Sequence, residues 1–449
     1  MSGLIRSLSI AQRSLMAHQE TLAVIGHNIA NVSTPGYSRR VAELSPTPAI
    51  REGTLTFGTG VEVAQISRRR NAYLDREISR QKSLNNQWSV WQQDLQRLEA
   101  LVGEPSDNGL GAVMDAFFDD WTELANQPES DGLRYVLVQE GERLSDRFQN
   151  LSKGMKTLQE DLDFRLEQGV NSLNQKLSQI AELNATVRNS QVRGDQAPDL
   201  RDQRDRLMEE VASITGAVAQ EREDGVLLIS MDGVQLVGDT GAVALETRRE
   251  TSANGIASQV FANGRQIHIS GGEFGGILQL HDEVIPDISG KLDNLALALV
   301  QEVNRLHSMG PDGIAFFSGT TAGNIQVSDD ILLDPTRVNA GTTRDPGEND
   351  ISVAIASLQD SPLPGLSGST PSDYWTTWVG RVGTLSRRGE EETEASARFV
   401  ESLEAQREAI TGVNLDEEMM HLVMTERAFQ AAARVFSTAD DMLSDLLSI

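Results

Sequence analysis

The side chains best suited to catalysis or metal binding are few and scattered along the 449 residues. No two histidines stand at the spacing of a His-Glu-x-x-His zinc helix, and neither a Gly-x-Ser-x-Gly turn nor a Gly-Lys-Ser/Thr phosphate loop occurs. Gly58-Thr59-Gly60 is too short for a dinucleotide-binding loop and predicts a turn. The sequence therefore predicts no enzymatic activity, no cofactor and no metal site. The six histidines are His18, His27, His268, His281, His307 and His421.

Composition narrows the possible partners. A net charge of −27 and a pI of about 4.6 argue against nucleic acid or an anionic membrane surface as a partner. The absence of cysteine excludes disulfides and thiolate sites. No apolar run approaches the roughly 20 residues of a membrane helix, so we expect no membrane insertion. The first residues lack the apolar core of a Sec signal, so secretion would need another route.

The two ends of the chain carry matching apolar patterns with the 4-3 spacing of a coiled-coil seam. Their charges are complementary, since the first seam carries Arg6 and Arg13 and the last is rich in acidic residues. The pattern predicts an antiparallel terminal coiled coil that serves as the polymerisation interface. The alternative is an ordinary amphipathic helix at each end, packed on its own domain. The predicted interface residues are Leu4, Leu8, Leu15, Leu22, Ile25, Ile29, Leu415, Met419, Leu422, Phe429, Phe436, Leu443 and Leu447.

The middle of the chain alternates between two patterns. Helical periodicity marks segments at 74–102, 144–187, 288–306 and 399–410, which predicts an elongated helical bundle. Between 217 and 281, the pairs Asp224-Gly225, Asp232-Gly233 and Asn263-Gly264 are hairpin turn signals. The predicted fold is mainly α with a β insertion. Its domains are 1–40 with 412–449 (terminal coiled coil), 41–216 with 282–411 (bundle) and 217–281 (inserted β domain), with irregular loops from 309 to 372.

Two further patterns have a functional and a structural interpretation. The cluster Arg68-Arg69-Arg70 is either a contact with an acidic neighbouring subunit or a solvated helix start. Trp375 and Trp378, at helical spacing, are interpreted as core or subunit contacts rather than as a ligand platform.

One segment resembles the signature of the flagellar axial proteins, the family of rod, hook and hook-associated subunits. It runs from Ile29 to Arg39 and includes Asn31, Thr34, Pro35, Gly36, Tyr37 and Ser38. Pro35 fixes φ and Gly36 tolerates a positive φ, so the helix must end and the chain must turn. Residues 413–418, 202–205 and 271–276 are similar to further segments of the hook-associated members of the family.

The resemblance implies a role in assembly. It implies secretion by the flagellar type III apparatus and a ring of identical subunits at the hook–filament junction. The implied partners are the chain itself, the hook protein, a second junction protein, the filament cap and an export chaperone. Phe429, Phe436 and Leu443 are the candidate chaperone-binding residues. The alternatives are another axial subunit, of hook or rod, and an extracellular adhesin that binds its ligand through the β insert.

Overall fold

The computed structural model of the protein describes residues 2–34, 36–52, 55–252 and 255–448. Helices dominate the described chain, and the strands form small antiparallel sheets, which confirms the predicted fold class. The helices are α1 (Ser2–Ala30), α2 (Ala72–Val102), α3 (Leu110–Asn126), α4 (Asp131–Val192), α5 (Pro198–Thr215), α6 (Gly272–Gln279), α7 (Ile285–His307), α8 (Asp329–Leu333), α9 (Asp350–Ala356), α10 (Pro371–Thr411) and α11 (Leu415–Ser448).

The strands fall into three groups along the chain. The first group follows α1, the second forms the insert between α5 and α6, and the third is a short pair in the loops after α7. They are β1 (Arg40–Pro46), β2 (Ile50–Glu52), β3 (Leu55–Phe57), β4 (Val61–Arg68), β5 (Val218–Glu221), β6 (Leu227–Met231), β7 (Val234–Gly238), β8 (Gly241–Ala242), β9 (Leu245–Ser252), β10 (Gly255–Ala262), β11 (Arg265–Ile267), β12 (Phe317–Ser318) and β13 (Gln326–Val327).

The long helix α4 organises the bundle. Ser130 caps its start by accepting a hydrogen bond from Leu133 N, and the helix runs for 62 residues before Gly194 turns the chain with a φ of 86°. Seventeen of its residues are buried, mostly at the apolar spacing that predicted a long helix from 144 to 187. The helix begins 13 residues before the predicted start. Five of the eight residues from Asp131 to Val138 are apolar, but Tyr135 and Val136 are exposed, so these residues do not mark a single helical face.

The inserted strands form two sheets, with the orders β5-β6-β7-β8 and β11-β10-β9. Asp232-Gly233 connects β6 to β7 with φ of 48° and 70°, and Asn263-Gly264 connects β10 to β11 with φ of 50° and 75°. Both positive angles in each pair are those of a tight two-residue hairpin turn, as predicted. The strands end at Ile267. The rest of the predicted insert, up to residue 281, is a short loop at 268–271, then α6 and the first two residues of a π-helical turn at Leu280–Val284.

Three parts of the fold differ from the prediction. Residues 41–68, predicted within the helical bundle, form the hairpins β1–β4 and β2–β3, and β1 and β4 pack against α1. Helix α3 was not predicted, although Phe117 and Trp121 on it lie at the centre of an aromatic cluster with Phe316 and Phe317. The loops from 309 to 372 carry the short helices α8 and α9 besides the expected short strands.

Glycines in the 271–276 segment allow α6 to approach its neighbours closely. A Cβ on Gly276 would lie 2.8 Å from the carbonyl oxygen of Gln87 in α2, and one on Gly272, whose φ is 69°, would lie 2.4 Å from Ile214 C. Phe274 between them is buried against Gly169 of α4. The segment is therefore glycine-rich because the backbones of α6, α2 and α5 meet there without room for side chains.

The large hydrophobic core lies within α2–α7, the β insert, the loops after α7 and the first part of α10. Trp375 and Trp378 belong to it and are stacked with ring centroids 4.5 Å apart, so both are core residues. Among the described residues, α1 and α11 contribute no side chain to this core. None of the described helices is long and apolar enough to cross a membrane.

Candidate assembly site at the paired termini

Helices α1 and α11 pack against each other along their length. They are antiparallel, because Asn28 near the end of α1 contacts Glu418 in the first turn of α11. The predicted antiparallel pairing of the two ends is therefore present within one subunit, whereas the alternative of two separately packed ends is not what the structure shows.

The seam of α11 differs from the prediction in half of its positions. Leu422, Phe429, Phe436 and Leu443 face α1 and are half-buried, as predicted. Leu415, Met419 and Leu447 are 46%, 49% and 74% exposed and lie outside this seam. At the alternate seam positions the observed register lies one residue before the predicted one, with Glu418 in place of Met419. The 4-3 spacing is kept by the buried and half-buried residues Glu418, Leu422, Thr425, Phe429, Ala432, Phe436, Ala439 and Leu443, and Ala428 and Ala433 beside them are also half-buried.

Helix α1 packs on two sides. Its predicted seam residues are half-buried, except Ile25, which is 5% exposed. A second face packs against the hairpins, where Arg6 lies over the ring of Phe57 at 4.2 Å and Arg13 donates to the carbonyl of Thr59. The half-buried seam residues are Leu4, Leu8, Leu15, Leu22 and Ile29.

Exposed apolar side chains lie on α11 in two groups, between residues 415 and 424 and between residues 435 and 447. We call the two groups together the outer stripe. Each of its members is at least 41% exposed in the isolated subunit. An uncovered apolar surface of this length is typical of a protein–protein contact. The members are Leu415, Met419, Met420, Val423, Met424, Val435, Met442, Leu446 and Leu447.

The signature segment forms a compact turn after α1. Asn31 donates from Nδ2 to the carbonyl of His27, and Thr34 donates from Oγ1 to Asn31 Oδ1. Tyr37 N donates to the carbonyl of Thr34 over 3.1 Å. Gly36 has a φ of 74°, and a Cβ there would lie 2.6 Å from Cδ of Arg206. Two features therefore favour glycine at position 36. Its φ is positive, and the Arg206 side chain occupies the space that an added Cβ would take. Pro35 lies outside the described residues.

Asn28 connects the turn to both ends of the chain. Its Oδ1 accepts from Tyr37 Oη over 2.8 Å and from Arg40 N over 3.0 Å. Its Nδ2 donates to the carbonyl of Arg40 and to Glu418 Oε2. Asn28 is 1% exposed and Glu418 is 2% exposed, so these bonds are shielded from water.

Arg39 completes this polar cluster. Its Nε donates to Glu418 Oε1 over 2.7 Å, and its Nη1 donates to Glu417 Oε2 over 3.1 Å. A buried carboxylate with no cation beside it would be strongly destabilising. Arg39 therefore balances the charge of Glu418 and ties the start of α11 to the chain just before β1. We call Asn28, Arg39 and Glu418 the polar pin.

A row of aspartates on α5 holds the terminal segment on the bundle. Arg40 pairs with Asp199, and Ser38 N donates to Asp202 Oδ2 over 3.4 Å. Arg68 binds Asp202 at 2.8 Å and Asp205 at 2.7 Å.

The arginine cluster has two predicted alternatives, a contact with a neighbouring subunit or a solvated helix start, and the structure shows a third arrangement for Arg68 and Arg70. Arg68 is engaged by α5, and Arg70 pairs with Asp205 and with Asp75 of α2. Both arginines join elements of the same subunit, and this explains the acidic pattern of residues 202–205.

Tyr37 and Asp199 at this site have shifted pKa values. Burial raises the pKa of Tyr37 to about 12, with Arg40 acting in the opposite direction. The hydrogen bond from Arg40 lowers the pKa of Asp199. At neutral pH the phenol is thus a stable donor to Asn28 and the carboxylate a stable partner of Arg40. The cluster holds chain segments together. Among the described residues, no group of three or more candidate ligands could hold a metal ion.

Sequence reasoning missed the residues of the polar pin. Asn28 lies outside the apolar pattern of α1, and Glu418 was counted as a charge favouring the helix start rather than as a seam residue. The available signal was the 4-3 spacing of Glu418 with Leu422 and Thr425, which a search limited to apolar residues overlooks.

Family models match both ends of the chain. Residues 8–37 match "Flagella basal body rod protein", and residues 405–449 match "Flagellar basal body rod FlgEFG protein C-terminal". A helical protein whose matched ends pair in this way is of the class of flagellar axial proteins. The middle of the chain, residues 95–324, matches "Flagellar hook-associated protein FlgK helical domain". This match covers slightly more than half of the chain. The chain belongs to this family of hook-associated proteins.

Full-length relatives agree with this assignment. The chain is 25% identical to "Flagellar hook-associated protein 1" of Bacillus subtilis (strain 168), over 100% of this chain and 99% of the relative. It is 23% identical to the protein of the same name from Salmonella typhimurium (strain LT2), over 100% of both. The fold is similar to that of the flagellar hook junction protein FlgK from Burkholderia pseudomallei. That match has a TM-score of 0.65 and 11% identity, and covers 75% of this chain and 100% of the other.

Proposed function

We propose that this chain is a non-enzymatic structural subunit at the junction between the flagellar hook and filament, and that it joins its neighbours through its terminal helices. The observation that carries the proposal is the outer stripe of α11. This stripe is apolar and uncovered, and it lies on a helix that is already paired with α1.

The packing within the subunit supports this role. Most seam residues of α1 and α11 are only half-buried, so the pair keeps apolar surface that a neighbour can cover. Burial of roughly 25 cal/mol per Å² would stabilise such contacts once subunits are side by side. The exposed Ile5 and Met16 of α1 and Leu55 of the hairpins extend the available surface beyond α11.

The partners follow from this position. The chain would form a ring with further copies of itself, contact the hook protein below it and a second junction protein above it, and meet the filament cap during assembly. It would leave the cell through the flagellar type III apparatus. An export chaperone would cover the apolar seam of α11 before α11 pairs with α1, with Phe429, Phe436 and Leu443 as the candidate contacts, because an unpaired apolar helix promotes aggregation.

The domains would divide this work. Residues 1–40 with 412–449 would form the polymerisation domain, and 41–216 with 282–411 would form the body that carries the inserted domain 217–281. The strands between residues 40 and 68 lie on α1, so we assign them to the polymerisation domain as well. This moves the boundary between the two domains from residue 40 to residue 68.

A hook or rod subunit is the nearest alternative. The models that match the two ends carry rod-protein descriptions, whereas the model that matches residues 95–324 is specific to the hook-associated family. The middle of the chain therefore favours the junction.

The test is complementation of a strain that lacks the gene for this chain. Electron microscopy should show hooks without filaments in that strain and normal filaments after complementation. Val423→Asp, in the outer stripe, should complement poorly. Phe399→Asp is the matched control, since Phe399 is an apolar side chain on α10 that is 47% exposed and lies outside the terminal helices. Complementation by Val423→Asp equal to that by Phe399→Asp would contradict the role of the stripe, and normal filaments in the null strain would contradict the function.

A further inference from the structure

The apolar seam between α1 and α11 repeats itself every seven residues. On α11 the large seam residues are Leu422, Phe429, Phe436 and Leu443. A slide of α11 by one heptad would place Phe429 where Phe436 had been, and Ala432 where Ala439 had been. Apolar packing alone therefore distinguishes poorly between neighbouring registers.

Helix α1 shows the same repetition. Leu8, Leu15 and Leu22 occupy equivalent seam positions at intervals of seven residues. Each would meet a side chain of similar size after a one-heptad slide.

The tether to α10 does not fix the register either. Only residues 412–414 connect α10 to α11, but the first turn of α11 can supply more chain by unwinding. Leu415, Asp416 and Glu417 of that turn are exposed, so little apolar burial opposes the unwinding.

The polar pin does not repeat. The positions equivalent to Glu418 further along α11 are Thr425, Ala432 and Ala439, and none of these can replace a carboxylate. In the observed register, Glu418 Oε2 accepts from Asn28 over 3.0 Å and Oε1 accepts from Arg39 over 2.7 Å. In a shifted register, the nearly fully buried Asn28 would lose this acceptor, and Arg39 would lose both Glu417 and Glu418.

We infer that Glu418 and Asn28 select the register in which α11 pairs with α1. A buried polar residue in a coiled-coil seam typically acts in this way, since it costs stability in every register and costs least where its partners are matched. This role deepens the proposed function, because subunits present identical surfaces to their neighbours only if α11 occupies one position on α1.

The experiment measures the register directly, as the distance between two spin labels determined by pulsed electron–electron double resonance. The chain contains no cysteine, so Met16→Cys with Met442→Cys gives two unique spin-label sites. Both methionines are exposed, at 55% and 51%. With Asn28 opposite Glu418, the labels are separated along the helix axis by about 18 Å, and a one-heptad slide changes this by about 10 Å.

Glu418→Leu in this background should give a second population whose interlabel distance differs by several ångström from that of the wild type. Glu418→Gln keeps an acceptor for Asn28 and should show the wild-type distance alone. Thr425→Leu is the matched control. Thr425 is the seam residue one heptad after Glu418, and its replacement by leucine leaves the polar pin intact. This variant should also show one distance.

Two results would overturn the inference. A single wild-type distance in Glu418→Leu would show that the apolar seam selects the register unaided. A featureless distribution, as from a detached α11, would show that Glu418 holds the helix without choosing its position. The distances are measured in the purified subunit, so either result is independent of the complementation experiment. Failure of complementation would contradict the proposed function and not this inference.

Discussion

Asn28 and Glu418 lie 390 residues apart in the sequence, yet the side-chain amide of one donates to the carboxylate of the other over 3.0 Å. The contact joins the first and last helices at one point, where the chain also turns from α1 into β1. Changes near this point should therefore affect the paired termini before they affect the bundle.

Gly36→Val should impair assembly more than stability. Valine at a φ of 74° is strained, and its Cβ would meet Arg206 at 2.6 Å, so we expect a cost of about 1–3 kcal/mol confined to the turn. Swimming in soft agar should be lost, while the main melting transition of the purified chain stays close to that of the wild type. Gly26→Ala is the control, because Gly26 has no atom within 4 Å of an added Cβ. Normal swimming of Gly36→Val would contradict the role of the turn.

Phe436→Asp should weaken the α1–α11 pairing. Phe436 is half-buried in the seam, and replacing it with a carboxylate loses on the order of 1–2 kcal/mol of apolar burial and adds a desolvated charge. We expect reduced chaperone capture in a pull-down and reduced swimming. The main melting transition should not move, since α11 contributes no described residue to the large core. Ser437→Asp places the same charge on the exposed neighbouring position and should behave as the wild type. A lowered main transition in Phe436→Asp would show that α11 supports the bundle.

His307 should make the bundle sensitive to acid. Its Nδ1 donates to the carbonyl of Ile314 and its Nε2 accepts from Asn339 N, so the buried ring is held neutral. Burial lowers the pKa of His307 to about 4, against about 6.5 in an unfolded chain. Below pH 6.5 the unfolded state binds the extra proton first, so the free energy of unfolding should fall between pH 6.5 and pH 4, by at most about 3 kcal/mol.

His307→Gln keeps one donor and one acceptor without the titration, and urea unfolding at pH 7 and pH 4.5 should show a smaller pH dependence than in the wild type. His268→Gln removes an exposed histidine and serves as the control. Equal pH dependence of the wild type and His307→Gln would place the acid sensitivity elsewhere.

Asp120→Asn should stabilise the chain at alkaline pH. Burial, with Glu140, Glu123 and Asp119 nearby, raises the pKa of Asp120 to about 6. A raised carboxyl pKa means that the folded state holds its proton longer, so stability is lost as the pH rises from about 4 to 6. The amide removes this loss, and we expect a gain on the order of 1 kcal/mol in urea unfolding at pH 8. Asp119→Asn, at an exposed position, should gain less.

The sequence predicted the parts of the fold that rest on large apolar side chains at regular spacing. Phe429 and Phe436 identified one half of the α11 seam correctly, whereas Met419 was chosen over the neighbouring Glu418 because a large apolar side chain was taken as the sign of burial. In a closely packed helix pair, the alternate positions admit small residues, so size does not reveal them.

The polar contacts were beyond a pattern-based prediction. Arg68 offers no local sign that its partners are Asp202 and Asp205, more than 130 residues away. Such pairs are fixed by how α5 meets the terminal segment, which depends on the complete fold. The β1–β4 hairpin was missed for a related reason, since its strands alternate only weakly and become half-buried through α1.

Helix α4 spans roughly 90 Å at 1.5 Å per residue, with no break in its 62 residues. Gln149 on it donates to the carbonyl of Ile325 in the loops after α7, and Asn174 and Asn184 donate to the carbonyls of Leu245 and Leu227 in the β insert. Torque applied to one of these regions reaches the other through a single hydrogen-bonded backbone, with no hinge to absorb it. The subunit is thus built as a stiff strut between the loops after α7 and the β insert.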